Sequence, residues 1–394
     1  MPHQLFKITP QAIDTLASFL HATGWSAIYG LNFGNSTPER AATEAEYVAK
    51  TLGEKLAFFQ IGNEPDFYRD ANNGTRPAGW GFEDYVKEWV AYADAVSARV
   101  PEARFGGPDT GASSDWVVRF GEEVAPQLGN RLIALSGHYY AEGPPNDPRV
   151  TTARLLAGDP QVIRSTQEIM RVADMQHLSY HMSEGNSCYR GGKPGMSNAF
   201  AASLWAADYL LTLANLGCGG VNLHGGDSRF LSASLGNHNP GLEAAKGEAQ
   251  AASNGFYTPI ASEQHQRASA RPVYYGMLFA QQFAGAVMLE TNSDGGSQLA
   301  VYAAQKQKQT LVALINKSAD RNLRCSIHAP QFQHRVRALR LTAPSLNATS
   351  GVLFGKTTVS TTERWKPHYD ELRSSSQVLE VDLPAASALL LFAE

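Results

Sequence analysis

Cysteine is scarce in this chain: Cys188, Cys218 and Cys325 are the only three among 394 residues. They form no C-x-x-C pair and no zinc spacing, and an odd, widely spaced set argues against a disulfide framework. Charge is also sparse, at 18% of residues, with a formal net charge of -4. That balance offers no basic excess for a nucleic-acid backbone or an anionic membrane surface. No run approaches the roughly 20 consecutive apolar residues that span a bilayer. The opening stretch, Met1-Pro2-His3-Gln4-Leu5-Phe6-Lys7, lacks the apolar core of a signal peptide. As it stands the chain reads as cytoplasmic, or as secreted or periplasmic if an upstream leader is missing. There is no nucleophile elbow, no P-loop and no dinucleotide fingerprint. His181, His224, Asp227 and the cysteines show no metal-ligand spacing. The expectation is therefore no metal, no cofactor, no nucleic acid and no membrane partner.

What is present is an ordinary globular mixture, 43% hydrophobic, long enough for two domains. Helical and strand-like patterns alternate from about residue 10 to residue 285. Apolar strand segments centre near residues 28, 59, 105, 135, 181 and 222. Between them lie amphipathic stretches with helix-start signals, such as Thr37-Pro38-Glu39 and Ser113-Ser114-Asp115. A polar stretch from about Asp227 to Ala270 reads as a long loop. After about residue 286 short strands follow one another without helices, as in Thr310–Ile315 and Ala388–Phe392. The predicted fold class is α/β: a (β/α)8 TIM-type barrel, six strands visible and N-terminally incomplete, plus a C-terminal all-β sandwich. The expected domains are 1–285, the catalytic barrel, and 286–394, the sandwich.

Two of these strands end in an acid. Leu56-Ala57-Phe58-Phe59-Gln60-Ile61 runs into Gly62-Asn63-Glu64-Pro65-Asp66, and Leu178–Ser183 runs into Glu184-Gly185-Asn186. Near-continuous apolar residues suit a strand covered on both faces, and Pro65 cannot continue a ladder. Glu64 and Glu184 are then expected at the carboxyl ends of parallel strands, which is the catalytic rim of a barrel. A retaining glycosidase needs two such carboxyls, one to protonate the leaving oxygen and one to attack the anomeric carbon. Asn63, beside Glu64, is placed to hold a sugar hydroxyl. Either glutamate alone would be an ordinary loop charge or helix cap; the pair is what points to catalysis.

The sequence resembles glycoside hydrolase family 79, which holds β-glucuronidases and heparanases within the clan of retaining (β/α)8 glycosidases. The resemblance rests on Ile61-Gly62-Asn63-Glu64-Pro65-Asp66, Ser183-Glu184-Gly185-Asn186-Ser187 and Tyr189-Arg190-Gly191-Gly192-Lys193-Pro194-Gly195. Gly220-Val221-Asn222-Leu223-His224-Gly225 and the trailing strands also fit. It implies that Glu64 is the general acid/base, Glu184 the nucleophile, and Asn63 a ligand of the hydroxyl next to the anomeric carbon. It implies that Tyr189 and Gly191 bind a uronate carboxylate through the loop after the nucleophile, and that Tyr139 or Tyr140 flanks Glu184. Family members carry about two more strand-helix units upstream, so Glu64 would end the fourth strand and Glu184 the seventh. The implied activity is exo-acting release of glucuronic acid from β-glucuronides by double displacement. The alternatives are an endo-acting, heparanase-like enzyme on glycosaminoglycans and a truncated, non-catalytic carbohydrate-binding protein.

Plainer readings stand beside several of these residues. Tyr139 and Tyr140 point to opposite faces of a strand, so one of them belongs to the core. Lys193 could attract a uronate carboxylate, but a lysine in a Gly/Pro loop is usually solvated. His138 reads first as a core histidine with satisfied bonds and only second as a functional group, and His224 is a weaker substrate-binding candidate at the exit of the last strand. Cys188 lies in the loop after Glu184 and is otherwise an incidental thiol.

Overall fold

The computed structural model describes residues 8–69, 74–226, 255–261, 268–329, 332, 335–360, 362–374 and 377–393. The expected loop from Asp227 to Ala270 falls largely outside them. The chain divides into two compact units. The first comprises Met1–Tyr139, Gln161–Glu184 and Gly217–Asn222; the second comprises Tyr140–Pro160, Gly185–Leu216 and Leu223–Glu394.

The first unit is built on a six-stranded sheet in simple sequential order. Its strands are β1 (Ala27–Leu31), β2 (Leu56–Ile61), β3 (Phe105–Thr110), β4 (Leu132–Tyr140), β5 (Ser179–Asn186) and β6 (Gly220–Val221). They form a curled, parallel half-barrel, consistent with an incomplete TIM barrel. The last residues of β4 and β5 count with the second unit. Helices α1 (Pro10–Thr23), α2 (Pro38–Leu52), α3 (Phe82–Arg99), α4 (Ser114–Arg119) and α5 (Ala125–Leu128) alternate with the strands.

Local chemistry sets these boundaries. Thr9, Thr37 and Ser113 each accept a backbone N–H at a helix start, and Pro10 and Pro38 occupy the first helical position. Gly24 closes α1 in the left-handed region, its N–H donating to the Leu20 carbonyl. Apolar faces of α2 and α3 bury Ala45, Val48, Trp89 and Val96, while Phe59, Ile61 and Phe105 fill the sheet side of the core. All six residues of β3 are buried. Gly106 allows this: a Cβ there would lie 2.4 Å from the Phe58 ring.

The second unit contains α6 (Thr152–Ala157), α8 (Phe200–Asn215), α9 (Pro272–Gln281) and most of the antiparallel structure. Between α6 and α8 the chain passes through α7 (Pro160–Met175), which belongs mainly to the first unit. Backbone carbonyls of Ala348 and Leu346 accept the N–H groups of Phe200 and Ala201, satisfying donors at the start of α8 that a helix cannot pair itself. Helix α9 lies close on α8 because Gly276 has no side chain: a Cβ there would sit 2.2 Å from the Ser203 carbonyl.

A short antiparallel pair, β7 (Ile260–Ala261) with β8 (Ser269–Ala270), precedes α9. A larger antiparallel sheet joins β9 (Val287–Leu289), β10 (Leu299–Lys306), β11 (Gln309–Asn316), β13 (Arg335–Thr342), β14 (Leu353–Phe354), β15 (Asp370–Arg373) and β17 (Ser387–Ala393). β12 (Leu323–His328) pairs separately with β16 (Val378–Leu383). Val312, Leu314, Val336, Leu389 and Leu391 of the larger sheet share one buried core with Leu379, Val381 and Leu383 of β16. The period-2 burial of β16 is the signature of a strand with one face on that core.

Candidate active site

The carboxyl ends of β2, β3, β4 and β5 carry the polar cluster of the first unit. Glu64 follows β2 after the Gly62 turn and stands at φ 50, in the left-handed region. Its N–H donates to the Asp109 carbonyl at 2.9 Å, and Asp109 has φ 65. Asp66, two residues on, accepts backbone N–H groups from Gly111, Ala112 and Ser113 at 2.8–3.0 Å. The loop after β3 is thereby tied to the turn that carries Glu64. Gly111 leaves room for the acid itself, since a Cβ there would lie 2.9 Å from the Glu64 carboxyl and 2.3 Å from the Phe67 ring.

His138, on β4, joins these groups. Its Nδ1 lies 3.1 Å from Glu64 Oε1 and 4.0 Å from Glu184 Oε2, and its Nε2 lies 3.0 Å from Asp109 Oδ1. Ser183 Oγ donates to that same Asp109 oxygen at 2.5 Å. The side chains of His138 and Asp109 are 1% and 3% exposed, while Glu64 and Glu184 are 31% and 24% exposed. Solvent thus reaches the two glutamates, beside a buried histidine–aspartate pair. One carboxylate oxygen of Glu64, one of Glu184 and a ring nitrogen of His138 all lie within 4.8 Å of one another.

Burial alone would depress the His138 pKa. The neighbouring carboxylates of Asp109, Glu64 and Glu184 outweigh it and hold the imidazole well above its ordinary range. Burial also pushes the Tyr68 hydroxyl up to about 12, so it stays neutral; this hydroxyl accepts the Asn63 N–H at 3.5 Å. Glu64, His138 and Glu184 are the one group among the described residues with carboxylate and histidine atoms close enough to be weighed as a metal site.

The sequence-predicted residues divide between the units. Asn63, Glu64, Tyr139 and Glu184 fall in the first; Tyr140, Tyr189, Gly191, Lys193 and His224 fall in the second. Asn63 is exposed beside Glu64, and Tyr139 is half-buried. In the second unit, Tyr140 packs with ring centroids 6.3 Å from both Tyr189 and Tyr257. Asn186 Nδ2 donates to the carbonyls of His224 and Tyr257 at 2.9 and 3.2 Å, and His224 Nδ1 contacts the Tyr257 hydroxyl. Gly191 has φ 86 and accepts the Tyr257 N–H at 3.2 Å.

The Lys193 ammonium donates to the carbonyls of Val150 and Asp147 at 2.7 and 3.3 Å, fastening its loop to the segment after β4. Cys188 is fully buried, and burial pushes its thiol up to about 12, which makes it unreactive. Asp227 lies outside the described residues. The roles of Asp109, Ser183, Gly111 and Tyr257 were missed in the sequence. The one signal available for Tyr257 was an aromatic pair, Phe256-Tyr257, inside an otherwise polar stretch.

A parallel half-barrel with two partly exposed glutamates at its strand ends has the architecture of a glycosidase scaffold. Solved structures agree on the fold. A 4-O-α-L-rhamnosyl-β-D-glucuronidase from Fusarium oxysporum 12S superposes with a TM-score of 0.75 at 16% identity, over 99% of this chain and 82% of that one. The α-L-arabinofuranosidase of Thermotoga maritima gives a TM-score of 0.68 at 14% identity, over 97% and 78%.

Among curated proteins, a β-glucuronidase of Aspergillus niger is 30% identical over 234 residues, 54% of this chain and 42% of that protein. A heparanase of Mus musculus is 27% identical over 217 residues, 52% of this chain and 39% of that protein. The matches thus span less than half the length of these curated relatives. No protein-family model matches the chain. Together the relatives support a family like glycoside hydrolase family 79, as the Asn63-Glu64-Pro65 and Glu184 segments led us to expect.

Proposed function

We propose that this chain carries the catalytic machinery of a glycoside hydrolase that releases glucuronic acid from β-glucuronides with retention of configuration. The supporting observation is the approach of the Glu64 and Glu184 carboxylate oxygens to within 4.8 Å. Retaining enzymes place their two carboxyl groups about 5–5.5 Å apart, whereas inverting ones leave about 6.5–9.5 Å for a water. In this reading Glu64 protonates the glycosidic oxygen and Glu184 attacks the anomeric carbon. Glu64 then takes a proton from the water that hydrolyses the ester. In this reading Asn63 holds the neighbouring hydroxyl, and Tyr139 or Tyr140 flanks the nucleophile. In the same reading Tyr189 and Gly191 bind the uronate carboxylate. The catalytic region is residues 1–285, and residues 286–394 form a supporting β-sandwich.

The similarity to β-glucuronidases supports the uronide, and the similarity to heparanase supports a uronic-acid-containing glycan as the rival substrate. The test is hydrolysis of 4-nitrophenyl β-glucuronide, with proton NMR following the anomer released first. A β-anomer is expected; an α-anomer overturns retention. Shortening of heparan-type chains without release of monosaccharide would make the enzyme endo-acting. Glucuronide binding without hydrolysis by any substrate would make the chain a carbohydrate-binding protein.

A further inference from the structure

We propose that His138 is a positioning residue that stores the proton Glu64 delivers, handing it between Nδ1 and Glu64 Oε1 across their shared hydrogen bond. This deepens the reading of Glu64 as the acid/base and rests on it. The geometry carries the argument. Both ring nitrogens of His138 face carboxylate oxygens, at 3.1 Å for Glu64 and 3.0 Å for Asp109. A neutral imidazole has one N–H and one lone pair, so it cannot donate to both.

Two of the arrangements that satisfy both contacts differ at Glu64. In one, an imidazolium lies between two carboxylates. In the other, protonated Glu64 donates to Nδ1 while the Nε2–H stays on Asp109. They differ only in the place of one proton, and no heavy atom has to move.

Asp109 is built to hold the far side of this relay. It is 3% exposed, it accepts the Ser183 hydroxyl at 2.5 Å, and its carbonyl accepts the Glu64 N–H. Among the described residues, Glu184 lies 4.0 Å from Nδ1, the neutral Tyr68 hydroxyl that accepts the Asn63 N–H faces Glu64 and Asp109, and the buried Tyr85 and Tyr180 lie toward Asp109. Asp109, Glu64 and Glu184 together favour a proton on the His138 ring.

The proton count closes over a turnover. The Nδ1 proton moves to Glu64, leaving His138 neutral. Glu64 gives that proton to the glycosidic oxygen as the glycosidic bond breaks and Glu184 bonds to the anomeric carbon. Water then yields a proton to Glu64 while its oxygen displaces Glu184. The proton returns to Nδ1, and the net reaction consumes one water.

Two measurements test this on the full chain. The first is the pH profile of kcat/KM for an alkyl β-glucuronide, whose leaving group needs the acid, in wild type and His138→Gln. The alkaline limb should fall by about one pH unit or more in the variant, a loss of about tenfold at a fixed pH beyond the limb. The acid side of the profile should change much less. Asp109→Asn should shift the limb the same way by less. A rate that drops equally at every pH, with the limb unmoved, would make His138 a packing residue and overturn the proposal.

The second is nitrogen-15 NMR of the His138 ring in wild type, which depends on neither a variant nor turnover. Two protonated ring nitrogens, or one proton shared with Glu64, are expected at neutral pH. A neutral ring with no hydrogen bond at Nδ1 overturns the relay even if the protein hydrolyses glucuronides. Absence of turnover with the shared proton still present would instead overturn the acid/base reading of Glu64.

Discussion

Glu64, in the turn after β2, and Asp109, near the end of the neighbouring β3, share the same unusual backbone conformation, φ 50 and φ 65, and the amide of the first donates to the carbonyl of the second. Left-handed backbone at a non-glycine residue costs about 1 kcal/mol or more. Two such residues joined by a hydrogen bond aim both carboxylates at one histidine, His138. Strain of this kind concentrates where a fold places reactive groups.

Gly111→Ala should disturb this arrangement from one position. The added methyl meets the Phe67 ring and the Glu64 carboxyl at once. We expect a stability loss of about 1–3 kcal/mol and a fall in kcat larger than the change in KM. Denaturant melts with steady-state kinetics check both. An unchanged kcat would mean that Glu64 has freedom to move aside.

Glu64→Gln should separate substrates by leaving group. For an alkyl glucuronide, loss of the general acid should lower kcat/KM by about 100- to 10,000-fold. For a nitrophenyl glucuronide, which leaves without a proton, the loss in kcat/KM should be much smaller. Glu184→Gln should abolish turnover of both. Equal losses on the two substrates in Glu64→Gln would remove its assignment as acid.

Lys193→Met separates an anchor from a substrate ligand. Two of the ammonium's hydrogen bonds go to the Val150 and Asp147 carbonyls. Their loss should cost about 1–3 kcal/mol of stability, read by thermal unfolding. A raised KM for uronides with unchanged stability would show that the charge serves the substrate instead.

Asp208→Asn should destabilise the second unit by about 3 kcal/mol. Asp208 pairs with Lys317 at 2.7 Å and accepts the Tyr302 hydroxyl at 2.5 Å, and Lys317 is only 8% exposed. Without the carboxylate, a buried ammonium is stranded. Chemical denaturation measures the loss.

The pH dependence of stability follows from His138. Burial opposes its charge, but Asp109, Glu64 and Glu184 raise its folded pKa well above the ordinary value. Its charge therefore contributes stability fully below the unfolded value of about 6.5. That contribution is lost as pH rises through the higher folded value. The stability gap between wild type and His138→Gln should be widest in mildly acidic solution and narrow toward alkaline pH. A constant gap across that window would mean the histidine is neutral in the folded protein.

Much of the scaffold was legible because it depends on local pattern. The six parallel strands lie where apolar runs and turn residues mark them, and Thr9, Thr37 and Ser113 cap helices as their side chains require. Strand β12 was missed: Leu323-Arg324-Cys325-Ser326-Ile327-His328 alternates weakly, and its partner β16 lies far along the chain. The helix α6 escaped notice because six residues between loops carry too little periodicity.

The sequence by itself determined that an acid follows β2, since Gly62-Asn63-Glu64-Pro65 stops a ladder by its own backbone chemistry, and it placed Glu184 near the end of β5, which runs on to Asn186. It could not determine what stands behind those acids. Asp109, His138 and Ser183 come from three different strands, and nothing in their neighbours along the chain distinguishes them from core or loop residues. Only the curl of the parallel sheet brings His138 to Glu64, Asp109 to His138 and Ser183 to Asp109. Long-range strand pairing selects those contacts, and no local propensity encodes them.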